Sequence, residues 1–261
     1  MPPKRQGQTD THAIAEARAR LTRGASLHVV SLSPTRRDPG RIAIRITPVS
    51  GDPAGADDQT NDASSGRPAY LATLADTSIH ELGLTIGSPV TDSLLDTLEP
   101  RVGRDRALRS ALARVGRRDF SSGMLRDRLR RAGHPTEAAD AAVQRLAELG
   151  LIDDDAFADA LIREARRSRP AGDRLLRQKL FTKGLPAPVI DAALARSQPA
   201  PDEVAEAAAE FAIRESRKMI RLAPEVRRRR LYGRLARRGF DGDVIRNAMQ
   251  AANADASDPG D

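Results

Sequence analysis

Apolar residues recur at one spacing in three separate stretches. Leu125, Leu129 and Gly133 lie four residues apart, as do Leu176, Leu180 and Gly184, and Leu231, Leu235 and Gly239. Each triplet has the same tail. Ala138-Ala139, Val189-Ile190 and Val244-Ile245 follow the Gly, and then Ala142-Val143, Ala193-Leu194 and Ala248-Met249. Leu at i and i+4 shares one helix face. The spacing therefore predicts a helix that buries the Leu pair and stops at the Gly, which reaches a left-handed C-cap without steric cost. A third helix follows, with Pro135 or Pro186 in its first turn and Asp241 as N-cap in the last case. An earlier helix in the first repeat carries an apolar stripe, Leu108, Leu112 and Val115. The repeats fall at 105–152, 153–198 and 202–252, with a disordered tail over 253–261. Each unit alone buries little, so stacking is expected to stabilise an elongated array of three tandem three-helix repeats.

The pattern before residue 100 is different. Leu27 to Leu32 reads as a strand, Thr35 to Gly40 as a turn, and Arg41 to Thr47 alternates strictly. Ile42, Ile44 and Ile46 share one face of that strand, and Arg41, Arg45 and Thr47 the other. Tyr70 to Leu74 is a third strand. Ser78 to Leu82 is a short helix stopped by Gly83, and Thr91 N-caps a helix running to Leu98. A small antiparallel sheet with appended helices is expected over 26–99. It carries a Gly/Asp/Ser/Pro-rich loop at 50–67, follows a disordered arm over 1–25, and leads into a linker at Pro100 to Arg104. The fold class is mainly α with this β-containing domain in front.

Composition narrows the functions. Aromatics are 3% of the 261 residues and Trp is absent, so the core must be aliphatic. No apolar stretch approaches the roughly 20 residues of a membrane span, and no signal-peptide core is seen at the start. Without Cys there is no thiolate chemistry and no Cys-based metal site, which is compatible with a reducing cytoplasm. A net charge of +7 suggests a nucleic acid or an acidic partner. Of the 43 basic residues only Lys4, Lys179, Lys183 and Lys218 are Lys. With abundant Ala, that Arg excess is also what GC-rich coding produces.

Enzymatic readings find no residues to carry them. His12, His28, His80 and His134 are scattered, and His80-Glu81-Leu82-Gly83-Leu84 lacks the second His of a zincin helix. No phosphate-binding loop or nucleophile elbow occurs, so no cofactor or metal is expected. Tyr70, Tyr232 and five Phe offer few base-stacking platforms.

The segment Leu149-Gly150-Leu151-Ile152-Asp153-Asp154-Asp155-Ala156-Phe157-Ala158 resembles the junction between first and second repeats in the RecX family. Gly172 through Gly184 is similar to that family's Gly turn and basic helix. Arg237-Arg238-Gly239-Phe240 with Val244-Ile245 resembles its last repeat. The resemblance covers about residues 26–251. The 50–67 insert and the Arg169-Pro170-Ala171-Gly172 turn depart from the pattern. The resemblance implies a non-catalytic, monomeric regulator that binds the RecA recombinase filament on single-stranded DNA and lowers its recombinase, ATPase and SOS coprotease activities. Direct DNA contact is also implied for some members.

The candidate partner-binding residues are Arg163, Arg166 and Arg167 on one helix of the second repeat, with Arg174, Arg177, Lys179 and Lys183 on the next. Guanidinium groups pair bidentately with carboxylates or phosphates; the alternative is a solvated face balanced by Glu164 and Asp173. Arg227 to Arg230 are consecutive and spray around their helix. Arg117, Arg118, Arg126, Arg128, Arg130 and Arg131 form a third cluster. Asp153, Asp154 and Asp155 precede a helix, where carboxylates cap free N–H groups rather than bind metal. Phe157 is expected in the core between the first two repeats.

Overall fold

A computed structural model describes residues 6–36, 38–49, 68–116 and 119–257. The expected 50–67 loop lies outside them, as do Arg117 and Arg118. Two compact units result, one of 1–116 with 128–146, the other of 117–127 with 147–261.

The first unit contains α1 (Gln6–Thr22), β1 (Leu27–Thr35), β2 (Asp38–Pro48), β3 (Ala69–Ala75), α2 (Asp76–Glu81), β4 (Pro89–Val90) and α3 (Asp92–Val115). The sheet has four antiparallel strands in the order β3-β2-β1-β4, where three were expected. The extra strand is only two residues long, too short for a periodicity to register. The expected turn at Thr35 to Gly40 is tighter than predicted, because Thr35 already pairs with Asp38. Ile44 and Ile46 are buried with Val29, Leu71 and Leu74, so the period-two reading of β2 placed its apolar face correctly.

Three expectations need correction in this unit. The arm at 1–25 was expected to be disordered, yet 6–22 is a helix with Ile14 and Ala17 in the core. Its stripe escapes notice because Asp10 occupies one apolar position. Asp10 is buried and accepts a hydrogen bond from the Tyr70 hydroxyl. Arg18 also ties α1 to Asp96 of α3 at 2.9 Å. The linker at Pro100 to Arg104 is instead the middle of α3, whose start is capped by Thr91 Oγ1 accepting from Leu94 N–H at 3.2 Å. An interior Pro costs about 3 kcal/mol. Here Pro100 is exposed, so water can serve the freed carbonyl, while Leu98 and Val102 on either side anchor the helix in the core. Finally, Leu112 is 42% exposed, and α3 buries Ala107 and Ala111 in place of the expected Leu108 stripe. Arg41, on the face of β2 opposite the isoleucines, is buried and forms a bidentate pair with Asp105 at 2.7 and 2.6 Å.

Helices α4 (Ser122–Arg131) and α5 (Thr136–Glu148) complete the first repeat. In the second unit α6 (Asp154–Ser168), α7 (Asp173–Thr182) and α8 (Ala187–Arg196) form the second repeat. The third comprises α9 (Pro201–Arg217), α10 (Pro224–Arg237) and α11 (Gly242–Ser257). The expected tail at 253–261 is therefore helical as far as Ser257. The recurring leucines are all 3% exposed or less. Gly133, Gly184 and Gly239 take φ values of 84°, 72° and 77°, the left-handed C-cap that the spacing implied. Each repeat of the second unit has its own core, one around Ile162, Leu176, Leu180 and Ile190, the other around Phe211, Leu231, Leu235 and Ile245.

The same joint occurs twice in this unit. Ser121 Oγ donates to the Lys183 carbonyl, and at the equivalent place Gly172 N–H donates to the Arg238 carbonyl at 2.8 Å. At both joints glycine meets glycine, Gly123 against Gly184 and Gly172 against Gly239, with no room for a Cβ on Gly123 or Gly172. The Gly that ends one helix is thus also the surface on which the preceding repeat's helix start rests.

Candidate partner-binding surface

Helix α6 is N-capped by Asp153, whose carboxylate accepts from Ala156 N–H at 2.9 Å. The three consecutive aspartates have separate roles. Asp154 accepts from Ser122 N–H at 2.7 Å and from Ser122 Oγ at 2.6 Å, and Asp155 pairs with Arg196 at 2.9 Å. Among the described residues no group of three His, Cys, Asp or Glu is placed to hold a metal. Phe157 is partly buried against the core of the second repeat.

The seven candidate cations separate by what they touch. Arg163 and Arg167 lie four apart on α6, exposed and without an ion-pair partner among the described residues. Arg166, one position before Arg167, turns inward. It donates to the Ser197 carbonyl and, at 3.2 Å, to Asp173, tying the end of α6 to the end of α8 and the start of α7. That contact stabilises the repeat and leaves Arg166 little freedom to serve a partner. On α7, Arg174 is exposed and unpaired among the described residues, while Arg177 pairs with Asp191 of α8. Lys179 on another face of that helix and Lys183 at its C-cap are exposed. The surface thus presents three unpaired guanidinium groups, one exposed pair and two lysines.

One residue of this surface was not singled out from the sequence. Phe181 is 72% exposed, between Lys179 and Lys183 in the chain. The periodicity contained the signal, because Phe181 lies one position beyond the buried Leu180 and so outside the Leu176–Leu180 stripe. Leu149 and Leu151, flanking Gly150 at φ 67°, are also 50% and 46% exposed. On α10, Arg228 and Arg229 line one hollow with Tyr232 and Met249, while Arg227 does not. Elsewhere, His134 is buried, which together with nearby Arg106 and Arg114 lowers its pKa below the ordinary value.

These features define a helical-repeat protein with an appended antiparallel sheet and a cation-rich surface, with no helix among the described residues long and apolar enough to cross a membrane. Sequence models of the first, second and third three-helix domains of RecX match residues 107–146, 153–194 and 202–249. Regulatory protein RecX of Streptomyces lividans is 36% identical over 135 residues, 51% of this chain and 71% of that one. The Chlorobium phaeobacteroides protein of the same name is 31% identical over 144 residues, 55% of this chain and 91% of its own. A crystal structure of a regulatory protein RecX has the same fold, with a TM-score of 0.63 at 19% identity over 86% of this chain and 99% of that one. The chain belongs to the RecX family of regulatory proteins.

Proposed function

We propose that the protein binds the RecA recombinase filament on single-stranded DNA and lowers its recombinase, ATPase and SOS coprotease activities. It acts by occupying surface, as a monomer in the cytoplasm, and performs no chemistry of its own. Family membership supports the regulatory role. The observation that carries the protein-partner reading is Phe181, a large aromatic 72% exposed on α7, the helix that also carries exposed Arg174. Aromatic and Arg side chains dominate the energetics of protein interfaces, so an exposed ring beside exposed guanidinium groups supports a protein partner. Arg163, Arg167 and Arg174 would meet acidic side chains of the partner. Binding of full-length Phe181→Ala to preformed recombinase filaments tests this by surface plasmon resonance. A loss of about 2 kcal/mol, roughly thirtyfold in Kd, is expected. Unchanged affinity removes α7 from the interface.

The second reading is a standalone DNA-binding protein whose repeats contact phosphates, favoured by the unpaired guanidinium groups of α6 and α7. It predicts binding to naked DNA that weakens steeply with salt and is indifferent to Phe181→Ala.

A further inference from the structure

Arginines converge most densely away from α7. In the second unit a cleft of about 540 Å³ is lined by Arg169, Lys218, Arg234, Arg237 and Arg238, with Phe211 and a single carboxylate, Glu215. Glu215 is already engaged: one oxygen accepts from Lys218 Nζ at 2.6 Å and the other from Arg234. These contacts hold its pKa below the ordinary carboxylate range. Arg169, Arg237 and Arg238 make no carboxylate ion pair within 4 Å among the described residues, although Glu215 acts on Arg238 at longer range. Arg238 is the most confined of them, with its guanidinium carbon 5.5 Å from the centroid of the Phe211 ring. Burial, and then the charge of Arg169, lowers its pKa more than Glu215 raises it.

Main-chain contacts bring the segments that carry these cations together. The Arg238 carbonyl accepts the Gly172 N–H, and Gly172 packs directly on Gly239. The backbone of Arg169, three residues before Gly172, is thereby held near that of Arg237 and Arg238. Like charges gathered this way repel one another, and a bound polyanion relieves that cost. The chemistry of the cleft also limits the ligand. Phe211 is 6% exposed, and Arg214 and Arg238 both lie against its ring, so no open aromatic face remains for a base.

We propose that this cleft binds closely spaced phosphate groups through Arg169, Arg237 and Arg238, either of a free polyphosphate or of a nucleic-acid backbone. Guanidinium groups suit such ligands because each can donate two parallel hydrogen bonds to phosphate oxygens. The proposal does not depend on the recombinase being the partner.

The test uses the full chain, Arg169→Gln/Arg237→Gln, and a charge-matched control, Arg23→Gln/Arg36→Gln, whose residues are exposed and distant in sequence from the cleft. Arg169 and Arg237 are themselves exposed, so folding should persist, and circular dichroism checks it. Sodium tripolyphosphate is titrated calorimetrically, and a labelled oligothymidylate is titrated by fluorescence anisotropy over a range of salt. The cleft variant is expected to bind at least one probe about tenfold or more weakly, the scale of a charge-assisted hydrogen bond. With the oligonucleotide its salt slope should flatten by about 1.4, two lost contacts at roughly 0.7 each. Loss confined to tripolyphosphate identifies the free anion, and loss confined to oligothymidylate identifies the strand backbone; either supports the site. Equal loss in the control, no loss in the cleft variant, or no binding of either probe by the native chain overturns it.

Discussion

Gly172→Ala isolates the joint between repeats. The backbone at Gly172 has φ −80°, which Ala adopts freely. On local grounds Ala would stabilise the protein by about 0.4–1 kcal/mol by restricting the unfolded chain. Space at the joint forbids this. A Cβ would stand 2.2 Å from the Gly239 oxygen, 2.5 Å from its carbon and 2.7 Å from Phe240 N. All three are backbone atoms, so no side chain can swing away. The segments must separate from 2.2 Å toward ordinary contact near 3.4 Å, which weakens the 2.8 Å bond from Gly172 N–H to Arg238 O. Overpacking costs about 1–3 kcal/mol and the hydrogen bond about 1 kcal/mol. Set against the entropic gain, the net destabilisation is about 1–3 kcal/mol. Gly103→Ala is the internal comparison. Gly103 lies within α3 with nothing within 4 Å of the added Cβ, so Ala there should stabilise by about 0.5–1 kcal/mol. Urea unfolding followed by circular dichroism measures both. If Gly172→Ala stabilises as Gly103→Ala does, the glycine-on-glycine joint is refuted.

Leu180→Ala should cost about 2–5 kcal/mol in the same assay, since Leu180 is 0% exposed and its removal leaves a cavity in the core of the second repeat. Replacing Arg163, Arg167, Arg174 and Arg177 together by Ala should weaken filament inhibition while shifting stability little, because exposed substitutions rarely exceed about 0.5 kcal/mol each; unchanged inhibition would exclude these residues from the interface. Asp10→Asn probes the buried pair in the first unit. Burial raises the Asp10 pKa above 3.8 more than Tyr70 and the neighbouring Arg109, Arg41 and Arg106 lower it. A raised carboxyl pKa gives stability that is full below the unfolded value and is lost as pH rises through the folded one. The native chain should therefore lose stability relative to Asp10→Asn between acid and neutral pH, and parallel pH profiles for the two proteins would contradict this.

Much of the helical part was legible because it is repeated. Leu176, Leu180 and Gly184 state a helix face and its stop, and the other two copies confirm the frame. The same frame contained Phe181, one position beyond Leu180, but its exposure was not read from the sequence. Other features were hidden for physical reasons. The stripe of α1 contains Asp10, which reads as polar until Tyr70, sixty residues away, is brought beside it. Pro100 reads as a break, although the packing of Leu98 and Val102 outweighs its cost. Arg41 obeys strand alternation, but alternation does not say that α3 will cover that face with Asp105. The α6 and α7 cations were visible as a group, whereas the engagement of Arg166 by Ser197 and Asp173 depends on how three helix ends meet. The Arg169–Arg238 cleft joins residues nearly seventy positions apart and had no local signature.

The DNA-dependent ATPase of the RecA recombinase, measured against increasing concentrations of the full chain at fixed single-stranded DNA, tests the central claim most directly. A regulator that binds the filament should suppress hydrolysis at protein levels well below those that coat the DNA. Hydrolysis that persists at protein equimolar with the recombinase would contradict it.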